Sequence, residues 1–278
     1  MSATILEAQS QTGTVPETAQ CTLFVPSCDA YSDLWTPFFT LLQRHWADCP
    51  FPVVLGANKQ EFSQFGVRTL NSGDEKNWST QVRRQLGELD TPYVLMMLDD
   101  FFLRSTVKTA DVLECLNFVQ KRNGNMIRLL PRPAPPVGNL NGSVPDFVRE
   151  IPVGMPYRCS TQGAIWKRET LLTLLRGGES IWEFEMEGTG RSEHYPSGFY
   201  GATRSVLTYD HHVVQRGKWF KPEAKRFGAM NIGCDFARRG IMSDKEMLSW
   251  RLGKVRGAVG KLLPDALRER LTGNMRKP

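Results

Sequence analysis

VLMMLDDFFL, at residues 94–103, is an apolar run that stops at two acids, Asp99 and Asp100, and then becomes apolar again. The residues before the acids, 92–98, include no charged side chain, which is typical of a strand buried on both faces of a parallel sheet. Two carboxylates in such surroundings are costly unless a partner or a ligand pairs with them. The segment therefore predicts a central buried strand that carries two acids at its carboxyl end.

Strands and helices alternate around this segment. Apolar runs bounded by turn residues predict further strands at 21–26, 51–56 and 125–131. Apolar residues at helical spacing predict a helix that begins near Ser32 and helices over 77–90 and 110–124, the last of them capped by Gly124. This alternation indicates a parallel sheet covered by helices on both faces, in which ligands bind at the carboxyl ends of strands. The two acids are therefore expected to face a ligand.

The second half of the chain has a different character. Residues 131–147 are rich in Pro, Gly and Asn and predict a long loop, whereas 157–166 predict a strand or a pair of strands. A helix is predicted over 167–178, and residues 180–188 hold three acids among apolar residues. The simplest division of the chain is a disordered lead-in at 1–20, one mixed α/β domain over 21–242 and a basic helical extension at 243–278.

Composition limits the function classes. The chain has 278 residues, of which 41% are hydrophobic and 23% charged, as in an ordinary globular protein. No apolar run approaches the ~20 residues that a membrane-spanning helix needs. The six cysteines are scattered without a C-x-x-C pair, which argues against a zinc site and against a disulfide framework. We therefore expect reduced thiols and a cytoplasmic protein.

The net charge of +6 is concentrated at the C-terminus. From Lys245 onward there are nine basic and three acidic residues, so this segment accounts for the whole excess. A basic segment that also carries Trp250 and several leucines could lie on an anionic membrane surface, which would make the protein peripheral at the inner membrane face. The alternative is a solvated helical end packed on the domain. No motif that reads nucleic acid accompanies the charge, so nucleic acid is not an expected partner.

Four segments together resemble the nucleotide-sugar glycosyltransferases of the GT-A fold, in particular bacterial enzymes that build surface polysaccharides. The segments are VPSCDAYSDLW (25–35), VLMMLDDFFL (94–103), YRCSTQGAIW (157–166) and SIWEFE (180–185). The resemblance implies a Rossmann-like GT-A fold, with a mixed, mostly parallel central sheet flanked by helices and a C-terminal helical extension. It also implies transfer of a sugar from a nucleotide-sugar donor to a hydroxyl of a glycan or lipid-linked glycan acceptor, with inversion.

The same resemblance implies roles at the donor side. Asp29 matches the position that holds the base or ribose, although Asp is also a common turn residue at a helix start. Asp99 would contact the ribose or an active-site base, and Asp100 would bind Mg²⁺ or Mn²⁺, which neutralises the leaving diphosphate. His211 would be a further metal ligand. The family motif is D-x-D, and its first position is Leu98 in this chain, so the metal is less firmly implied than the nucleotide.

At the acceptor side, SIWEFE matches the segment that supplies the catalytic base in inverting members of the fold. A carboxylate there takes the proton of the acceptor hydroxyl as the new bond forms. The resemblance implies Glu185 as the base, with Glu183 as second choice. Trp182 would stack on an acceptor sugar, or else it is a core aromatic that anchors a helix.

The negative charge of the diphosphate needs basic partners, and three side chains are predicted to contact it. Arg83 lies on the helix before the acidic strand, and Arg216 and Lys218 flank Gly217 in QRGKW (215–219). That segment is either a loop that closes over phosphates and excludes water, or a basic β-turn in solvent.

Two other functions use similar residues. A metal-dependent nucleotidyltransferase also needs paired acids, but PSCDAYSDLW has no glycine with which to form a phosphate loop after the first strand. A non-catalytic sugar- or nucleotide-binding module would leave Glu183 and Glu185 dispensable.

Overall fold

The computed structural model describes residues 20–136, 145–211 and 213–262. The chain forms two compact units that divide after Asp210. The predicted lead-in lies outside the described residues apart from Gln20, and the predicted boundary after residue 242 stays a prediction.

The first unit is built on an eight-stranded sheet with the order β3-β2-β1-β4-β8-β6-β9-β7. Its strands are β1 Cys21–Pro26, β2 Val53–Ala57, β3 Arg68–Asn71, β4 Tyr93–Met96, β6 Met126–Arg128, β7 Val148–Glu150, β8 Ala164–Lys167 and β9 Phe199–Ala202. A separate antiparallel pair joins β5 Phe102–Leu103 to β10 Tyr209–Asp210.

Strand direction fixes which strand ends meet. The pairs β1–β2, β1–β4, β2–β3 and β6–β9 are parallel, whereas β8 runs antiparallel to both of its neighbours. Ala164 at the start of β8 pairs with Met96 at the end of β4 and with Arg128 at the end of β6. The carboxyl ends of β4 and β6 therefore share one edge with the loop that enters β8. The predicted Rossmann-like α/β architecture, with a mixed and mostly parallel sheet, is confirmed.

Helices cover the sheet of the first unit. They are α1 Trp35–His45, α2 Trp78–Gly87, α3 Thr109–Lys121, α4 Arg168–Leu174 and α5 Ile181–Arg191, with short 3₁₀ helices at Asp29–Leu34 and Ser192–His194. All six residues of β1 and all four of β4 are buried, as their apolar sequences predict. One core cluster joins the sheet to α2, α4 and α5 through side chains such as Val82, Trp166, Leu171 and Phe184.

Several local predictions need correction. Ser32 does not begin the first helix, because it lies inside the 3₁₀ helix that precedes α1. Gly124 does not supply the left-handed residue after α3, since Asn123 adopts it with a φ of 48°. Residues 157–163 form a loop, and only Ala164–Lys167 is a strand. The loop is organised by the buried guanidinium of Arg158, which donates to backbone carbonyls, and the apolar pattern gave no sign of this.

The second unit is small and mainly helical. It contains the hairpin strands β11 Val214–Gln215 and β12 Lys218–Trp219, followed by α6 Lys221–Met230, α7 Phe236–Arg239 and α8 Asp244–Leu262. Trp219 is completely buried and packs edge-on against Phe236. Trp250 of α8 packs against Phe220 with ring centroids 4.9 Å apart, so this aromatic ring of the basic segment is already engaged inside the unit. No helix among the described residues is both long enough and apolar enough to cross a membrane.

Candidate active site at the carboxyl edge of the sheet

Asp99 joins the ends of two neighbouring strands. Its side chain is 8% exposed, and its carboxylate accepts a hydrogen bond from the hydroxyl of Ser27, which follows β1. The same hydroxyl accepts a hydrogen bond of 2.7 Å from the indole N–H of Trp35. Burial, with a contribution from the charge of Asp99, raises the pKa of the neighbouring Cys28 thiol. Asp99 is therefore held at the carboxyl edge, as its place after β4 predicts.

Asp29 orders the backbone that follows β2. Its Oδ1 accepts hydrogen bonds from the backbone N–H groups of Asn58 at 2.9 Å, Lys59 at 3.2 Å and Gln60 at 3.2 Å. In return, the side-chain carbonyl of Asn58 accepts a bond of 3.0 Å from the backbone N–H of Asp29. The carboxylate thus fixes the loop between the ends of β1 and β2, where the resemblance expects a nucleotide base.

Glu185 reaches from α5 to the loop before β8. Its Oε1 accepts hydrogen bonds from the backbone N–H of Thr161 at 2.8 Å, the hydroxyl of Thr161 at 2.8 Å and the hydroxyl of Ser160 at 3.3 Å. Within the described parts of the chain, Oε2 accepts none. The side chain is half-buried. The result is a carboxylate with one oxygen fixed and the other uncommitted, so that Oε2 can accept a hydrogen bond from another group.

Glu183 is engaged differently, although it is only two residues away. It forms a capping box with Ser180, whose backbone N–H donates to Glu183 Oε2 at 2.7 Å. This bond lowers the pKa of Glu183, and the side chain is exposed at the start of α5. Because both residues lie on α5 and are two positions apart, Glu183 and Glu185 project in different directions. Glu183 stabilises the helix start, and only Glu185 contacts the loop before β8.

Two apolar side chains lie exposed next to Glu185 on α5. Trp182 is 74% exposed and Met186 is 66% exposed. Trp182 stands three positions before Glu185 and four before Met186, so it adjoins both on the helix surface. The alternative prediction that Trp182 is a core aromatic is wrong. Met186 was missed by the sequence analysis, because a single methionine among acids carries no distinctive pattern.

Tyr209 links the acidic segment to the loop before β8. Its hydroxyl accepts a bond of 2.8 Å from the backbone N–H of Gly163 and donates to the Gln162 side chain at 3.1 Å. Its ring stacks on Phe101, with centroids 4.6 Å apart. Burial raises the pKa of Tyr209, and the charge of Asp100 adds to this effect. The phenol is therefore neutral at pH 7 and serves as a rigid bridge.

Arg128, at the end of β6, is a residue that the sequence analysis overlooked. It is 1% exposed and donates one hydrogen bond from Nη1 to the backbone carbonyl of Tyr157 at 3.1 Å. Burial lowers its pKa to about 10, while the nearby Glu185 carboxylate acts in the opposite direction. The sequence does contain a signal: a charged residue interrupts the apolar run 125–131, in a predicted strand whose carboxyl end would lie at the same edge as Asp99 and Asp100.

Arg83, a predicted donor residue of the first unit, contacts the end of α4. Arg83 donates to the carbonyls of Leu172 and Leu175, both at 2.6 Å, at the end of α4. It helps to line a shallow pocket of about 460 Å³ formed by α2 and α4. The structure does not bring Arg83 into contact with the acids at the carboxyl edge.

The other basic residues and the histidine belong to the second unit. Arg216 and Gly217 form a two-residue turn with φ values of 52° and 75°, typical of a tight β-hairpin. Lys218 pairs with Glu246 at 2.7 Å. His211 is the first residue of this unit. The predicted roles of Arg83, Arg216, Lys218 and His211 stay predictions.

The described residues contain no group of three or more His, Cys, Asp or Glu side chains that could hold a metal ion. Asp100, half-buried next to Asp99, is the carboxylate that the resemblance assigns to the metal.

Neither a protein-family model nor a curated protein sequence matches this chain. Among solved structures, S. aureus TarS 1-349 in complex with UDP has a TM-score of 0.48 at 10% identity, over 68% of this chain and 59% of that one. The same protein in complex with UDP-GlcNAc gives 0.46 at 10% identity, over 68% and 57%. A CMP:2-keto-3-deoxy-manno-octonic acid synthetase complexed with CTP gives 0.43 at 11% identity, over 76% and 98%. The chain thus spans less than two thirds of the TarS structures, and likeness at this identity concerns the fold alone.

Proposed function

We propose that this chain is an inverting glycosyltransferase that moves a sugar from a nucleotide-sugar donor to an acceptor hydroxyl. The observation that carries the proposal is how the two carboxylate oxygens of Glu185 are hydrogen-bonded. One oxygen of its carboxylate is fixed by Ser160 and Thr161, and the other has no hydrogen-bond partner among the described residues. The loop that holds it lies at the carboxyl edge of the sheet, which also carries Asp99 and Asp100.

The proposed reaction is a single displacement. An acceptor hydroxyl donates a hydrogen bond to Glu185 Oε2 and loses its proton to it as the oxygen attacks the anomeric carbon. The bond between that carbon and the diphosphate oxygen breaks in the same step, and the nucleoside diphosphate departs. The proton remains on Glu185 until solvent removes it. Fixing Oε1 favours this role, because a base held in one orientation needs no reorganisation.

Trp182 and Met186 are the proposed acceptor platform. Both are largely exposed and lie beside Glu185 on α5. The apolar face of a sugar ring stacks well on an aromatic side chain, so the exposed indole would orient the attacking hydroxyl. The acceptor is proposed to be a glycan or lipid-linked glycan.

The donor is proposed to bind along the ends of β1, β2 and β4. Asp29 supports the loop at which the base would lie, and Asp99 supports the ribose side. Asp100 would hold Mg²⁺ or Mn²⁺, which neutralises charge on the leaving diphosphate. The carboxylates at this edge are suitable metal ligands, since Mg²⁺ is commonly held by one or two carboxylates together with substrate phosphates and water.

We further propose a cytoplasmic protein whose basic C-terminal segment lies against anionic lipid. Leu248 and Leu252 of α8 are 59% and 50% exposed, which leaves apolar surface on the helix that begins this segment. Co-sedimentation with vesicles that contain anionic lipid tests the idea, with neutral vesicles as the control. Binding to anionic vesicles that is unchanged when residues 245–278 are removed would assign the segment a structural role.

The proposed function is tested with a panel of nucleotides. Melting temperatures are measured with UDP, GDP, CDP and CTP, each with and without Mn²⁺, and release of nucleoside diphosphate is followed with the matching nucleotide sugars. We expect one diphosphate to raise the melting temperature and its sugar conjugate to be turned over. Pyrophosphate release from a triphosphate would indicate nucleotidyl transfer instead, and the absence of any nucleotide effect would exclude both activities.

A further inference from the structure

Two arginine side chains are almost completely buried in the first unit, and they differ in how they are paired. Arg158 is 0% exposed and donates to the carbonyls of Ile151 at 3.0 Å, Ser192 at 2.5 Å and Tyr195 at 2.9 Å. Its guanidinium also lies 4.2 Å from the centroid of the Phe199 ring. Every nitrogen of Arg158 has a partner, so this side chain serves the fold.

Arg128 is equally buried but poorly paired. Nη1 donates to the Tyr157 carbonyl, and Nε has no hydrogen-bond partner among the described residues. No carboxylate in the same parts of the chain forms an ion pair with it. A buried guanidinium without an ion-pair partner destabilises a fold, so an unsatisfied group of this kind calls for an explanation such as a catalytic role or a bound ion.

The surroundings of Arg128 identify the site to which it belongs. Its register with Ala164 and Met96 puts it at the carboxyl edge. Glu185 lies close enough for its charge to act on Arg128, yet the two form no ion pair. With a pKa of about 10, the guanidinium keeps its charge at pH 7. The proposed base therefore has a permanent positive charge nearby that no ion pair among the described residues neutralises.

We propose that Arg128 binds an oxyanion of the substrate, a phosphate or a carboxylate, at the carboxyl edge of the sheet near Glu185. The inference rests on the proposed function in that both place the substrate at this edge, near Glu185. The oxyanion comes either from the diphosphate of the donor or from an acidic group of the acceptor. Because Arg128 is 1% exposed, the ligand reaches it by local opening at Tyr157, its carbonyl partner. Tyr157 is 41% exposed and has a φ of 55°, a strained value for a residue other than glycine.

The first measurement is stability, with Arg158 as the matched control. Arg158→Met breaks three bonds to carbonyls and should lower the melting temperature strongly. Arg128→Met removes an unpaired buried charge at similar volume, so the melting temperature should stay close to that of the wild type or rise. A large loss in Arg128→Met would mean that the residue serves the fold, and it would count against the proposal.

The second measurement is binding, by calorimetry with pyrophosphate, UDP and glucuronate, and with uridine as the probe that lacks an oxyanion. At least one oxyanion should bind the wild type, and its affinity for Arg128→Met should be lower by a factor of about ten or more. This factor follows because a charge-assisted hydrogen bond contributes at least about 1.4 kcal/mol. Arg128→Lys keeps the charge without the planar fork and should give an intermediate affinity.

The probes show whether the oxyanion belongs to the donor or to the acceptor. Loss of pyrophosphate and UDP binding assigns Arg128 to the donor, and loss of glucuronate binding assigns it to an acidic acceptor. The proposal is overturned if no oxyanion binds the wild type, or if all bind the Arg128 variants equally well. If oxyanion binding depends on Arg128 but no nucleotide sugar is turned over, the proposed function fails while this inference stands. If turnover occurs and pyrophosphate, UDP and glucuronate all bind Arg128→Met as they bind the wild type, only this inference fails.

Discussion

Glu185→Gln replaces the proposed base with a side chain of the same shape that accepts no proton. The amide oxygen can take the place of Oε1 and keep the bonds from Ser160 and Thr161. The amide nitrogen then occupies the position of Oε2, where the acceptor hydroxyl would be deprotonated. The substitution therefore removes the chemistry while it preserves the contacts that hold α5 to the loop before β8.

The expected magnitude follows from these contacts. Loss of a general base lowers kcat by ~10²- to 10⁴-fold, or about 2.7–5.4 kcal/mol of transition-state stabilisation. Three hydrogen bonds to an ionised oxygen become bonds to a neutral one, and since Glu185 is half-buried we expect a loss of about 1–2 kcal/mol of folding stability. The melting temperature should then fall by ~2–8 °C, which leaves the protein folded at 25 °C.

The assay is nucleoside diphosphate release with the donor found in the nucleotide panel, together with calorimetry for donor affinity. Glu183→Gln is the matched control, because Glu183 lies two residues away and serves the helix cap. We expect Glu185→Gln to keep donor affinity and lose turnover, and Glu183→Gln to keep both. The reverse result would assign the base to Glu183. Full activity in both variants would refute the base on this helix and favour the binding-module alternative.

Three further changes probe the supports of the site and the fold. Thr161→Val removes the hydroxyl that donates to Glu185 and leaves the backbone N–H of Thr161 in place. In steady-state kinetics kcat should fall about tenfold with KM unchanged. A change in KM alone would contradict the positioning role. Trp182→Ala should raise KM for the acceptor by roughly three- to tenfold at unchanged melting temperature, and an unchanged KM would remove the indole from the acceptor site. Asn77→Ala removes the acceptor for the backbone N–H of Thr80 at the start of α2 and should cost ~1–2 kcal/mol in urea unfolding; an unchanged midpoint would show that the cap is dispensable.

The central strands were predictable because their signal is local. β1 and β4 are short apolar runs bounded by turn residues, and both are buried along their whole length. The position of Asp99 at the carboxyl edge follows from the strand that precedes it. The edge strand β3 was not predicted, since its sequence RTLN is polar and only Leu70 is buried. An edge strand gains its hydrogen bonds from one neighbour and needs little apolar surface of its own.

The sequence alone predicts only part of the difference between Glu183 and Glu185. Ser180 and Glu183 have the S-x-x-E spacing of a capping box, which could have assigned Glu183 to the helix start. Nothing local shows that Glu185 meets Ser160 and Thr161, because that contact joins α5 to a loop some 24 residues earlier. Only the packing of α5 on the sheet brings them together.

The sequence by itself determined an α/β sheet, a buried central strand and two acids at its carboxyl end, because hydrophobic periodicity and strand order are read from neighbouring residues. Tertiary structure alone decided the state of each charged group. Arg128 and Arg158 both have uncharged neighbours in the sequence. Arg158 is nevertheless fully paired with backbone carbonyls, whereas Arg128 is not. Their difference depends on which distant backbone groups packing brings within hydrogen-bond distance, and no local pattern encodes that distance.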